Sequence, residues 1–228
     1  MQQLPLSLGT AAPQRFDNFV PGANDQWPQV LEALRHPTPA APVLLWGPSG
    51  TGKTHLLHAV AAHQQAQGQR VAAFDATTPL PWRLDEGVRV ILLDRCEDYD
   101  ATRQHAAFML FVEAASLGLP VIAAAAAPPV DLPLRDDLRS RLGWGLVYRL
   151  VPPTEDEVRA LLRREAERRG ILLNDDVLGY LLTRHARNLS HLMDLLDRLD
   201  QFSLSFKRAV TVPLLKQMLA QEAGEGAA

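Results

Sequence analysis

One octapeptide, Gly47-Pro48-Ser49-Gly50-Thr51-Gly52-Lys53-Thr54, has residue types and spacing that point to a particular chemistry. It fits the pattern G-x-x-x-x-G-K-[ST] in full. Glycines at these places let successive backbone N–H groups turn inward around phosphate oxygens. Lys53 brings a point charge to the β- and γ-phosphates, and the Thr54 hydroxyl is a ligand for Mg²⁺. A helix beginning near Gly52 or Lys53 aims its positive end at the same anion. The metal side of such a site needs an acid at the end of another apolar strand. Val90-Ile91-Leu92-Leu93-Asp94 supplies one, which makes Asp94 the expected metal-side carboxylate.

These residues need a scaffold that brings strand ends together. Val43-Leu44-Leu45-Trp46 reads as the strand leading into the glycine-rich turn. Further apolar runs follow at Val71 to Asp75, Val88 to Asp94, Pro120 to Ala123 and Val147 to Leu150, with helical patterns between them such as Gln104 to Leu117. Strands alternating with helices predict a parallel sheet with helices on both faces. After Val151 the pattern is helical only. Thr154-Glu155-Asp156-Glu157 is a capping box, and the helix it opens stops at Gly170. Asn174-Asp175-Asp176 opens a second helix. A third carries Leu189, Leu192, Met193, Leu195, Leu196 and Leu199 at i, i+3, i+4, i+7 spacing. Thr211-Val212-Pro213 starts a fourth. The expected division is a flexible arm over 1–13, a nucleotide-binding domain over 14–151, a helical domain over 152–222 and a disordered tail over 223–228.

Composition narrows the classes. The chain has 228 residues, 47% of them hydrophobic and 21% charged, which fits an ordinary globular protein and excludes wholesale disorder. No apolar run reaches the ~18 residues of a membrane helix, so no membrane partner is expected. The single cysteine, Cys96, forbids an intramolecular disulfide and suits a reducing cytoplasm. A net charge of −3 argues against DNA as the main direct partner.

With both motifs placed, the chain resembles an AAA+ protein, and in particular the nucleotide-binding module of the DnaA replication initiator. Phe16-Asp17-Asn18-Phe19-Val20 with Asn24 is similar to the segment that encloses the adenine. Lys53-Thr54-His55-Leu56-Leu57-His58-Ala59 is similar to the initiator's P-loop helix. Leu138 to Leu146 is similar to the motif that carries an arginine finger. Gln3-Leu4-Pro5-Leu6-Ser7-Leu8 looks like the motif with which bacterial proteins dock on the replicative sliding clamp: alternate leucines enter apolar pockets and a glutamine amide orients the peptide. A full initiator would continue into a basic helix-turn-helix, and none is expected here. The combination resembles the Hda family, regulatory inactivators of DnaA.

The resemblance implies an AAA+ P-loop domain followed by a small all-α lid. It implies ADP or ATP with Mg²⁺ in the cradle, with Phe19 and Asn24 on the nucleotide and Gln3, Leu4, Leu6 and Leu8 on the clamp. It also implies Arg141 as an arginine finger acting in trans on ATP held by DnaA. The partners are then DnaA and the β subunit of DNA polymerase III, with DNA met mainly through the loaded clamp; a homo-oligomer is compatible. The place is the bacterial cytoplasm, near the nucleoid. The alternative is an autonomous AAA+ ATPase such as a helicase loader.

Three positions depart from a hydrolysing AAA+ site. Arg95 stands where a second acid would orient water, placed to disturb that water. Val121 to Ala127 offers only alanine where a polar sensor is usual. In the lid, Ser190 aligns with the arginine usual there, and Arg187, nearly one turn earlier, is the candidate substitute. The chain's own hydrolysis is therefore expected to be slow. Elsewhere, Trp46 reads as core packing, Cys96 as inert, and the histidines as surface or packing residues. Arg163-Arg164 and Arg168-Arg169, set among acids, read as a salt-bridged solvated helix face.

Overall fold

The computed structural model describes residues 14–185, 189–206 and 209–225. They form two compact units, Gln14–Pro152 and the residues from Pro153 on.

The first unit is built on five strands: β1 (Val43–Trp46), β2 (Arg70–Phe74), β3 (Val88–Leu93), β4 (Val121–Ala125) and β5 (Leu146–Arg149). Every pairing is parallel, in the order β2-β3-β4-β1-β5. Alternation along the strands sorts side chains to two faces. Leu44, Ile91, Leu93, Ala123 and Ala125 pack with Ala107, Leu110, Phe111 and Ala114 of α3 (Ala101–Leu117) and with Leu138 and Leu142 of α4 (Asp136–Gly143). Val43, Leu45, Val90, Leu92, Ile122 and Ala124 pack on the other face with Val30 and Leu34 of α1 (Trp27–Arg35) and with Leu56, Leu57 and Val60 of α2 (Lys53–Ala66). The expected α/β class with helices on both faces is what forms.

The helix ends have local causes. Asp100 accepts from the Arg103 backbone N–H at 2.8 Å, so α3 starts at Ala101, three residues before the apolar periodicity shows it. Gly118 closes it with a left-handed φ of 65°. α1, nine residues with Pro28 in its first turn, and α4, eight residues, are short helices that the sequence reading leaves unplaced.

The second unit contains α5 (Glu155–Arg168), α6 (Asp175–His185), α7 (Leu189–Phe206) and α8 (Val212–Glu225). Leu162, Leu178, Leu181, Leu192, Leu195, Leu196, Leu199 and Leu215 form its own core. The capping box at Thr154 is formed in both directions: Thr154 N–H donates to Glu157 Oε2 at 2.7 Å, and Glu157 N–H donates to Thr154 Oγ1 at 3.4 Å. Asn174 Oδ1 caps α6 by accepting from Val177 N–H at 3.0 Å. Helix α8 runs to Glu225, past the point where small acidic residues suggest a tail.

Two expectations need correction. Trp46 is not core: it is half-buried at the end of β1, with the Arg149 guanidinium 5.5 Å above its ring. The two are register partners across β1 and β5, which sets the stack. The arginines of α5 are not uniformly a solvated face. Arg163 pairs with Asp175 and Arg168 with Glu165, but the Arg169 side chain is only 10% exposed and reaches Asp197 at 2.7 Å and Glu165 at 3.8 Å. Glu165 is itself buried, so this pairing ties α5 to α7 inside the unit.

Candidate nucleotide-binding site

The loop between β1 and α2 crosses the carboxyl end of the sheet. Gly47 N–H donates to Ala125 O at 3.2 Å, tying the loop to β4. Gly50 and Gly52 take φ of 84° and 85°, where a side chain is strained. At Gly52 a Cβ would lie 2.6 Å from the Phe19 ring. The backbone N–H groups of Ser49, Gly50, Thr51 and Gly52 donate to no acceptor among the described residues and are available to an anion. Thr51 is buried and donates its hydroxyl to Pro48 O at 3.0 Å, so it braces the loop from inside. Pro48 and Ser49 are exposed.

Lys53 is buried, and its ammonium donates to Gly47 O at 2.6 Å and Pro48 O at 3.0 Å. Burial lowers its pKa, and the charges of Glu97 and then Asp94 oppose that shift. Thr54 Oγ1 donates to Asp94 Oδ2 at 2.8 Å, so the two oxygens expected to face Mg²⁺ lie side by side at the end of β3. A hydroxyl and a carboxylate suit a hard, oxygen-seeking cation. Among the described residues no group of three or more His, Cys, Asp or Glu side chains could hold a metal ion by itself. A loop with unbonded N–H groups, no room for a Cβ at Gly47 or Gly52, a buried ammonium and paired oxygen ligands fits a Mg²⁺–polyphosphate. Residues 47–54 would hold the phosphates, and Thr54 and Asp94 the metal.

Arg95 does not sit where the sequence suggests. It adopts the left-handed region (φ 48°), donates its N–H to Asp94 Oδ1 at 2.9 Å, and turns its guanidinium onto Asp75 Oδ2 at 3.2 Å. Asp75 follows β2, so this ion pair draws the cation across the strand ends toward β2. The expectation that Arg95 disturbs a water near the phosphates is corrected accordingly. The turn Cys96–Asp98 then brings back Glu97, whose charge acts on Lys53 more strongly than that of Asp94. Cys96 is buried and its thiol is pushed up to about 12 by desolvation, which makes it inert.

On the other side of the loop, Phe19 stacks on Trp27 with ring centroids 4.7 Å apart and tilts against His55 at 5.7 Å. The His55 pKa is lowered by burial, with a hydrogen bond to Arg15 O opposing, so its ring is neutral at neutral pH. Trp27 and His55 are part of this aromatic wall, and sequence reasoning missed the first and left the second as packing. Asn24 is spoken for by the backbone: its Oδ1 accepts from Val151 N–H at 2.8 Å and its Nδ2 donates to Pro21 O and Val151 O. Its side chain thus fastens the wall to the last residues of the unit.

Arg141 lies in the last turn of α4, half-buried. On the same segment Arg135 pairs with Asp137 at 2.7 Å and Arg139 pairs with Asp136, whereas the Arg141 guanidinium has no hydrogen bond or ion pair among the described residues. Gln3, Leu4, Leu6, Leu8 and Arg187 lie outside the described residues.

A five-stranded parallel sheet of this order, with the loop and strand-end acid at its carboxyl edge and a four-helix unit after it, defines an AAA+ P-loop protein. Comparison with known proteins narrows the class. The family model for the bacterial DnaA ATPase domain matches residues 12–78, and that for the Hda lid domain matches residues 155–219. Among solved structures, the chain is similar to domain III of the Thermotoga maritima replication initiation protein DnaA, at 23% identity and a TM-score of 0.74, covering 93% of this chain and 98% of that one. It is similar to AMPPCP-bound DnaA from Aquifex aeolicus, at 22% identity and a TM-score of 0.63, over 82% of this chain and 65% of that one. It is also similar to the Thermotoga maritima RuvB Holliday junction branch migration motor, at 18% identity and a TM-score of 0.64, over 91% of this chain and 72% of that one. The chain is a DnaA-like AAA+ protein carrying a lid of the Hda type.

Proposed function

We propose that this chain is a negative regulator of chromosomal replication initiation. In this reading it holds ADP or ATP with Mg²⁺ in the 47–54 cradle as a structural or regulatory ligand. Gln3, Leu4, Leu6 and Leu8 dock on the sliding clamp, so the chain meets DNA mainly through the loaded clamp in the cytoplasm. Arg141 then reaches ATP held by DnaA and stabilises the charge that develops as the terminal phosphate departs, a contribution on the order of 10³–10⁵ in rate in well-studied GTPases.

The observation that carries the reading is Arg141 left unpaired on α4 beside two arginines that are each neutralised by an aspartate. A guanidinium kept free of partners is available to a phosphate on another molecule. The matches to the Hda lid and to the DnaA ATPase domain support DnaA as that molecule. Arginine at position 95 and alanine through β4 favour slow hydrolysis by the chain itself, which weighs against a loader that works by its own turnover.

The test is hydrolysis of ATP prebound to DnaA, with DNA-loaded clamp present. Wild type is expected to accelerate it, while Arg141→Ala and a chain lacking the first eight residues are expected to fail. A wild type without effect refutes the reading and favours the loader.

A further inference from the structure

We propose that Glu97, three residues after Asp94, faces the phosphate site, and that its charge sets how the site ranks a nucleoside triphosphate against a diphosphate. The proposal rests on the nucleotide-binding part of the reading above and not on the clamp or on DnaA.

The chain path places Glu97 there. Arg95 reverses the backbone in its left-handed conformation and is held outward by Asp75. A single tight turn follows, closed by Asp98 N–H to Arg95 O at 3.0 Å and Tyr99 N–H to Cys96 O at 3.3 Å. Both residues flanking this acidic pair are anchored. Cys96 is 1% exposed, and Tyr99 is 3% exposed with its hydroxyl donating to Phe74 O at 3.3 Å. Glu97 is therefore fixed between two buried anchors and directed inward, while Asp98 is exposed.

The side chain's surroundings point to a missing partner. Glu97 Oε2 is buried and has no hydrogen-bond donor among the described residues. A buried carboxylate oxygen without a donor is costly, and native proteins keep few of them without a reason. The cation on which Glu97 acts is Lys53, where its charge outweighs that of Asp94. Lys53 already donates to two loop carbonyls. A hydrated Mg²⁺–polyphosphate would bring water to this corner, and water is the donor that Oε2 lacks.

The consequence for binding is electrostatic. With a diphosphate bound, Lys53 can face the β-phosphate and Glu97 together. A γ-phosphate adds negative charge to a corner that already holds the Glu97 carboxylate, and β4 offers only Ala125 at its end to offset it. Like charges held close in a partly buried site disfavour one another, here by a factor on the order of ten in affinity.

Calorimetric titration of the full chain with ADP and with AMPPCP, both with Mg²⁺, tests this. In Glu97→Gln the ratio of the AMPPCP Kd to the ADP Kd is expected to fall about tenfold, with the ADP Kd changed less than about threefold. Glu97→Ala removes the orphan oxygen altogether and is expected to shift the ratio the same way, so the test stands if either variant folds. Arg95→Asn, which tolerates the left-handed turn, is expected to leave the ratio as in wild type. A folded Glu97→Gln or Glu97→Ala protein with the wild-type ratio overturns the proposal while leaving the nucleotide site intact. A wild type that binds neither nucleotide overturns the site and the proposal together.

Discussion

The two sides of the phosphate corner are built to different standards. On the grip side, the loop from Gly47 to Thr54, its glycine conformations, buried Lys53 and the Thr54–Asp94 pair make a complete set of parts in mutual contact. On the side where a terminal phosphate is read, Arg95 is pulled away to Asp75, β4 presents alanine, and the acid that faces inward is Glu97 with an oxygen left unbonded. The grip relies on backbone N–H groups and one ammonium, which bind any polyphosphate. Turnover needs side chains placed around one particular phosphorus. A protein can keep the first set and lose the second, and the contrast here says that holding a nucleotide and consuming it are separable requirements.

The sharpest break in that comparison lies outside the chain's own site. Arg141→Ala is expected to abolish stimulation of DnaA-bound ATP hydrolysis, a loss of ~10³-fold or more, while ADP binding by the variant stays at the wild-type level. Loss of binding as well would mean that Arg141 serves its own cradle. On the grip side, Lys53→Ala removes a charge-assisted contact and is expected to weaken ADP binding by about 10- to 100-fold in calorimetry. Gly52→Ala places a Cβ against Phe19 at a left-handed φ. It should destabilise the first unit by ~1–3 kcal/mol in urea unfolding and weaken binding with it. A control far from both sides is Thr154→Ala, which loses the α5 cap and is expected to cost ~0.5–2 kcal/mol with no change in ADP affinity.

The smallest effect concerns the post that holds Arg95 aside. Hydrogen bonds from the Thr77 hydroxyl, at 2.6 Å, and then from the Thr77 N–H, Thr78 and Arg95 hold the Asp75 carboxyl at about 2 instead of its ordinary 3.8. A depressed carboxylate stabilises the fold above its unfolded value, and that stability is lost as pH falls through the folded one. The stability gap between wild type and Asp75→Ala should therefore be full above about pH 5 and close as pH falls toward about 2. The Asp75 carboxylate is partly solvated, which discounts the pH-dependent part of the gap to about 1 kcal/mol.

How much of this could be read from residue order follows from how local each feature is. The cradle is one continuous octapeptide between a strand and a helix. Asp94 ends an unbroken apolar strand, and the lid helices carry clear periodicity and caps, so these were legible. The aromatic wall joins Phe19, Trp27 and His55 from three elements, and nothing in their spacing announces that they meet. Asn24 sits in a segment similar to the one that encloses adenine, yet its amide is committed to Val151, 127 residues away. Glu97 follows Asp94 by three residues, and an ordinary extended path after Asp94 would point it elsewhere. Only the left-handed turn at Arg95, rare for a residue with a side chain, returns it to Lys53. Arg169 looked like one more exposed charge until α7 supplied Asp197.

Cys96 gives the molecule a practical property. It is the sole sulfhydryl in the sequence, it belongs to the packed interior under the sheet, and its proton is held up to about 12. Alkylating reagents at neutral pH will find almost no thiolate to attack in the folded protein. Cysteines engineered at exposed places can then be tagged with fluorophores or spin labels on the otherwise natural chain. The same residue, left alone under a slow-reacting reagent, becomes a clock whose ticks count the openings of the nucleotide-holding unit. A bound nucleotide that steadies the unit will be seen as the clock running slower.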